Sequence, residues 1–137
     1  IGSQLLPGAA GNISVEKIIS MNPDYYRMTG SKRPGNGTAV IPFGYNVPAG
    51  DVAAAFNALL ARQGVASIPA VAKGHTGALY HHFYNNPYNI IAIEALSKIF
   101  YPTQFEDVDP QADYHTIITR FTAIPDDNII LSYTPSR

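Results

Sequence analysis

The sequence predicts an α/β fold, a single three-layer lobe with a small, mainly parallel central sheet flanked by helices. Apolar residues recur at three- and four-residue spacing in separate segments, as in Val52, Phe56, Leu59 and Leu60, which is the period of a helix buried on one side. Between these segments stand short aromatic and β-branched runs at 24–30, 40–45, 76–83 and 128–133, which read as strands. The two kinds of segment alternate, the pattern of βαβ units rather than of a bundle or a sandwich. At 137 residues the chain, residues 1–137, is one domain with room for a hydrophobic core.

Residues 1–11 are loop-like. Ser14 can cap a helix that places Val15, Ile18 and Ile19 on one face, and Asn22-Pro23 stops it. Asp24 to Gly30 (DYYRMTG) reads as the first strand, with Tyr25 and Tyr26 in the sheet centre. A glycine-rich basic loop, SKRPGNGTA, follows, and Val40 to Tyr45 reads as a short second strand. A helix from about Asp51 to Gln63 has its acid in the first turn and Arg62 in the last, as the helix dipole favours, with Gly64 placed to cap it. Ala70 to Lys73 leads to a turn at Gly74 and then to the strand Thr76 to Phe83.

Asn86-Pro87 combines a capping side chain with proline at the first helical position. The long helix Pro87 to Phe100 starts there and carries a Glu94/Lys98 pair at i,i+4 spacing. Asp109-Pro110 repeats the same start, and Tyr114, Ile117, Ile118 and Phe121 mark the last helix. Residues 128–133 (NIILSY) read as a terminal strand or a docked tail. Eleven glycines and eleven prolines fall mostly between these elements, so the loops are long and shaped, which favours a binding scaffold.

Hydrophobic residues make up 46% of the chain and charged ones 14%, with a formal charge of −1. That balance excludes a disordered chain or a polyelectrolyte, and no nucleic-acid partner is expected. Without cysteine there are neither disulfides nor thiolate metal sites, which suits a reducing cytosol or a bacterial envelope protein. No apolar run approaches a membrane span, and IGSQLLPGAAG lacks the plan of a signal peptide. If the full gene product is exported, its signal has been removed.

Recognition chemistry concentrates in residues 78–88, ALYHHFYNNPY. Strand-to-helix junctions of this kind are where α/β domains meet ligands. Tyrosine joins apolar area to a hydroxyl, which suits a flat, partly polar ligand; Tyr80 and Tyr84 are the stronger candidates, whereas Tyr88 is expected to pack. On a strand, His81 and His82 would point to opposite faces and could not chelate one ion together, so one should face the ligand and the other pack. With no carboxylate or thiol nearby to complete a tetrahedral set, a dedicated zinc site is not expected. Lys32 and Arg33 can balance an anionic ligand, by a point charge and a planar donor fork respectively.

A nucleophile elbow, a phosphate-cradling loop and a metalloprotease helix motif are all absent from the sequence. The carboxylates Asp107, Asp109, Asp126 and Asp127 sit near caps and turns, which accounts for them without catalysis. No enzyme and no cofactor are expected.

The segments PGAAGNISVEKIISMNPDYYRMTG, GALYHHFYNNPYNIIAIEALSKIFYPTQF and FEDVDPQADYHTIITRF resemble the C-terminal lobe of the periplasmic solute-binding proteins that serve ATP-driven importers of ferric siderophores, cobalamin and haem. The resemblance covers almost the entire chain. Members of that family have two lobes and hold the ligand between them, so the chain looks like the second lobe alone, either truncated or having lost its other half, and a start at Ile1 without Met agrees with a cut polypeptide. The resemblance implies that Tyr80, His81, His82 and Tyr84 line the cleft, that Thr29 to Arg33 offer a second approach to the ligand, and that Glu16 docks on the membrane permease. It implies an exported, periplasmic or cell-envelope protein binding a metal chelate, an iron siderophore foremost, with haem, cobalamin or an oxyanion such as molybdate as alternatives. A second alternative is a metal-dependent enzyme using His75, His81 and His82; a third is a purely structural interaction module.

Overall fold

A computed structural model of the chain describes residues 11–32, 40–125 and 129–135. Helix α1 spans Val15–Met21. The Ser14 hydroxyl accepts from the Lys17 amide at 3.2 Å, and Asn22 ends the helix in the left-handed region at φ 45°, a conformation asparagine tolerates better than most residues. Strand β1 (Tyr26–Gly30) follows, then β2 (Gly44–Tyr45), α2 (Ala49–Leu60), a 3₁₀ turn at Val65–Ser67 and the short α3 (Pro69–Ala72). Strand β3 (Thr76–Tyr80) leads into a second 3₁₀ turn, His81–Asn85. Helices α4 (Asn89–Phe100) and α5 (Pro110–Phe121) and the two-residue strands β4 (Ile129–Ile130) and β5 (Ser132–Tyr133) complete the described chain.

The main sheet has the order β1-β3-β5. Strands β1 and β3 are parallel from Tyr26 opposite Thr76 to Gly30 opposite Tyr80, while β5 joins antiparallel through Ala78 opposite Tyr133 and Leu79 opposite Ser132. A separate antiparallel pair, β2 with β4, lies beside it. The sheet is thus small and mixed, with its long pairing parallel. The central strand is β3, whose first four residues are buried. Contrary to the expectation for Tyr25 and Tyr26, their strand is at the sheet edge, and Tyr25 stays 38% exposed.

Side chains alternate across the sheet. On one face Met28, Ala78, Tyr80 and Tyr133 pack with Val52 and Phe56 of α2 and with Ile41, Phe43 and Val47 of the preceding loop. Fully burying Phe43, Phe56, Ile41 and Val52 stabilises by roughly 1.5–3 kcal/mol per side chain. The predicted apolar face of α1 closes on Val65, Ile68 and Ala70. On the other face lie α4 and α5, joined by Ile91, Tyr114 and Ile118 together with Phe83, Ile129 and Leu131. This makes three layers.

Several boundaries differ from those read in the sequence. The strand expected to reach Phe83 ends at Tyr80, and the helix expected from Pro87 starts at Asn89. Asn86 instead folds an Asx turn ahead of it, accepting from the Tyr88 amide at 2.9 Å and donating to the His82 carbonyl at 2.7 Å. Helix α2 ends at Leu60, so Arg62 lies beyond it, and Gly64 (φ 81°) opens the 3₁₀ turn that follows. Lys98 donates to the carbonyls of Glu106 and Val108, while Glu94 faces Asp113 of α5. Phe121 is 73% exposed, although Ile118 three residues earlier is fully buried. The start of α5 is as expected: Asp109 accepts from the Gln111 and Ala112 amides at 3.0 and 3.2 Å.

Candidate functional site

Because β1 and β3 are parallel, their carboxyl ends emerge on one edge of the sheet, where ligands of open α/β sheets are met. Gly30 is required at the end of β1, since a Cβ there would strike the backbone carbonyl of Ile41. This close approach lets the chain return over the strand end, and the Lys32 amide donates to the Phe43 carbonyl at 2.7 Å. The Lys32 ammonium reaches the Asn46 carbonyl at 3.4 Å. Across from it, β3 delivers Tyr80 and the 3₁₀ turn. Between them opens a concavity of about 600 Å³ lined by Ser31, Lys32, Gly44, Tyr45, Tyr80 and His82, with Phe43 at its base.

The turn determines how the aromatic cluster is arranged. A 3₁₀ helix rotates about 120° per residue, so His81 and His82 are not thrown to opposite faces as a strand would require. Their rings meet edge-on with centroids 5.5 Å apart, and both are half-buried. His82 also packs against Tyr80 at 5.4 Å and lines the concavity. His81 turns toward Tyr84 at 5.2 Å, and its Nδ1 shares a hydrogen bond with the Thr29 hydroxyl at 3.1 Å. Tyr84 stands 70% exposed at the tip. Tyr88 packs on Tyr114, as the sequence suggested.

Burial, reinforced by the neighbouring Tyr45, pushes the Tyr80 phenol above its ordinary value. Burial also raises Tyr114, whose hydroxyl is 2.7 Å from that of Tyr45. Both phenols stay neutral hydroxyls over any physiological range. Tyr45 is the site residue that sequence reading missed; its signal, an aromatic just before a turn at Asn46 (φ 51°), was absorbed into a strand reading.

The structure therefore brings together Tyr80, His81, His82, Tyr84 and Lys32. Arg33 lies outside the described residues. Glu16 is elsewhere, exposed in the first turn of α1, its carboxyl held below the ordinary value by its own backbone amide and then by the Ser14 hydroxyl. His75 is also apart, at the opposite end of β3. Five strand residues separate it from His81, about 20 Å along the chain, and its Nδ1 faces the Asp24 carbonyl at 3.0 Å. The joint use of His75, His81 and His82 in one metal centre is thereby overturned. Among the described residues no three His, Asp or Glu side chains gather to hold a metal, and no helix is long and apolar enough to cross a membrane.

Among solved structures, the chain is similar to the TroA-like periplasmic binding protein FepB from Veillonella parvula, with a TM-score of 0.83 and 25% identity. The match covers 92% of this chain and 36% of that one, so the chain spans little more than a third of its length. It has the fold of one lobe of such a protein and fits the C-terminal lobe. No protein-family model matches the sequence, and no curated protein matches it.

Proposed function

We propose that this chain is the C-terminal lobe of a two-lobed solute-binding protein of the cell envelope, which captures an iron-siderophore-type chelate between its lobes and hands it to the permease of an ATP-driven importer. The observation that carries this reading is the concavity at the carboxyl edge of the parallel strands, lined in common by Tyr45, Tyr80, His82 and Lys32. Phenol and imidazole faces give contact area to a flat ligand, and the ammonium offsets its negative charge. The Tyr80 phenol, held above its ordinary value by burial, favours hydrogen-bond donation to the oxygens of a preformed chelate over phenolate coordination of a bare ion. Tyr84, exposed beside the concavity, is positioned to reach a ligand held above it. Glu16, exposed on α1, supplies the carboxylate for docking on the permease. No bond is made or broken: capture rests on closing two half-sites, and release on a shift toward the open state.

The test is calorimetric titration of this lobe and of a two-lobed version with ferric siderophores. Tight binding by the two-lobed protein and weak binding by the lobe are expected; equally tight binding by both would sink the half-site reading. Visible absorbance of the purified two-lobed protein separates haem or cobalamin from a colourless oxyanion.

A further inference from the structure

A second concavity, of about 450 Å³, lies between the other face of the sheet and α4, at the amino end of the parallel strands. It shares no lining residue with the first. Its walls include Tyr25, Arg27, His75, Lys98, Ile99 and Ser132. The unusual resident is Arg27, a guanidinium laid over the central strand, where parallel sheets ordinarily place apolar side chains. Gly77 makes the space, since a Cβ there would collide with the Arg27 Nη1. That nitrogen donates to the Thr76 carbonyl at 2.7 Å, and Tyr25 stacks below the cation with Cζ 5.7 Å from its ring centre.

Among the described residues no carboxylate meets this charge. Arg27 Nε is buried and has no partner, none of the described residues lining the concavity is Asp or Glu, and burial lowers the guanidinium below its ordinary value with only Tyr25 acting against it. Lys98 adds a second cation on the facing wall, its ammonium held by two carbonyls rather than by a carboxylate. Asp109, in the adjoining hollow, is engaged as the cap of α5. A desolvated cation without a carboxylate is costly unless an anion joins it, and arginine's donor fork matches an oxyanion.

We propose that this concavity binds a small organic oxyanion, its carboxylate or phosphate group between Arg27 and Lys98 and its apolar body against Tyr25 and Ile99. The site is independent of the chelate cleft. It is tested by titrating the ¹⁵N-labelled chain with benzoate, inorganic phosphate and neutral benzamide. Saturable shifts at the amides of Arg27, Thr76, Lys98 and Ser132 are expected for benzoate if a carboxylate is preferred, or for phosphate if a phosphate is, with none for benzamide. Arg27→Met should weaken that binding at least tenfold, and Lys98→Gln should weaken it less. If Arg27→Met does not fold, the wild-type shift map, the benzamide contrast and Lys98→Gln still decide. No saturable shift with either anion, shifts centred on Tyr80 and His82, equal binding of benzamide, or unchanged affinity in a folded Arg27→Met protein would each overturn the proposal.

Discussion

The hydroxyls of Tyr45 and Tyr114 lie 2.7 Å apart, tying the lining of the first concavity to the core of α5. The two ends of this bond are not equivalent: Tyr45 is 37% exposed and Tyr114 is 2% exposed. Tyr114→Phe leaves the Tyr45 hydroxyl to water and should cost about 1 kcal/mol, whereas Tyr45→Phe strands a buried hydroxyl and should cost about 2 kcal/mol. Urea unfolding measures both, and the reverse ranking would contradict the assigned burial.

The same phenol gives an alkaline signature. Its ionisation is raised in the folded state, by burial first and then by the bond to Tyr45, so above the unfolded value of about 10 the native state holds the proton that the unfolded chain loses. Stability from this group is complete below about pH 10 and declines as pH rises further. Tyr80 acts in the same direction. Tyr114→Phe should flatten the fall in urea midpoint between about pH 9 and 11; an unaltered slope would exclude Tyr114 as its source.

Glu94 faces Asp113 across α4 and α5, and its carboxyl is raised by burial, then by that neighbouring charge, with Oε2 lacking a partner. A raised carboxyl means that its stabilising contribution is present below the unfolded value and is lost as pH rises through the folded one. Glu94→Gln should therefore stabilise at pH 7 by about 0.5 kcal/mol, less in high salt. Thermal melts at pH 7 and pH 4 check this, with the gain expected to vanish at the lower pH.

Backbone crowding makes Gly30 the most sensitive position at the site. Gly30→Ala would force the end of β1 away from Ile41 and should cost about 3 kcal/mol, as overpacking a rigid contact does. Asp109→Ala, which frees two amides of α5, should cost only about 1 kcal/mol. Chemical denaturation ranks them.

Tyr84 separates function from folding. At 70% exposure, Tyr84→Ala should leave the melting curve of the lobe unchanged. In the two-lobed protein it should weaken chelate binding about tenfold, or 1.4 kcal/mol. Unchanged affinity would remove Tyr84 from the cleft.

The local punctuation was legible in the sequence because each signal acts within one turn of chain. Ser14, Asn22 and Asp109 all cap or stop helices as their side chains dictate. Phe121 continued the apolar period of α5, yet nothing in that period reports that the core ends a turn earlier. His81 and His82 had the composition of a strand, but the Asn86 side chain, bonded back to the His82 carbonyl, holds the segment as a turn. Tyr45 could not be distinguished from an ordinary strand residue without its partner Tyr114, which is distant in sequence.

Residue order alone determined the sequence of helices and the two paired parallel strands, where most apolar faces lay, and that aromatic and imidazole groups would crowd one junction, because hydrogen bonding and side-chain periodicity operate over three or four neighbours. Only the tertiary structure decided that β3 takes the sheet centre, that Tyr45 and Lys32 meet Tyr80 and His82 around one concavity, that His75 stands apart, and that Arg27 lies over Gly77 with no carboxylate among the described residues beside it. Those outcomes depend on strand pairing and layer packing between residues far apart in the chain, where burial and unmatched charge are properties of the assembled neighbourhood rather than of any one segment.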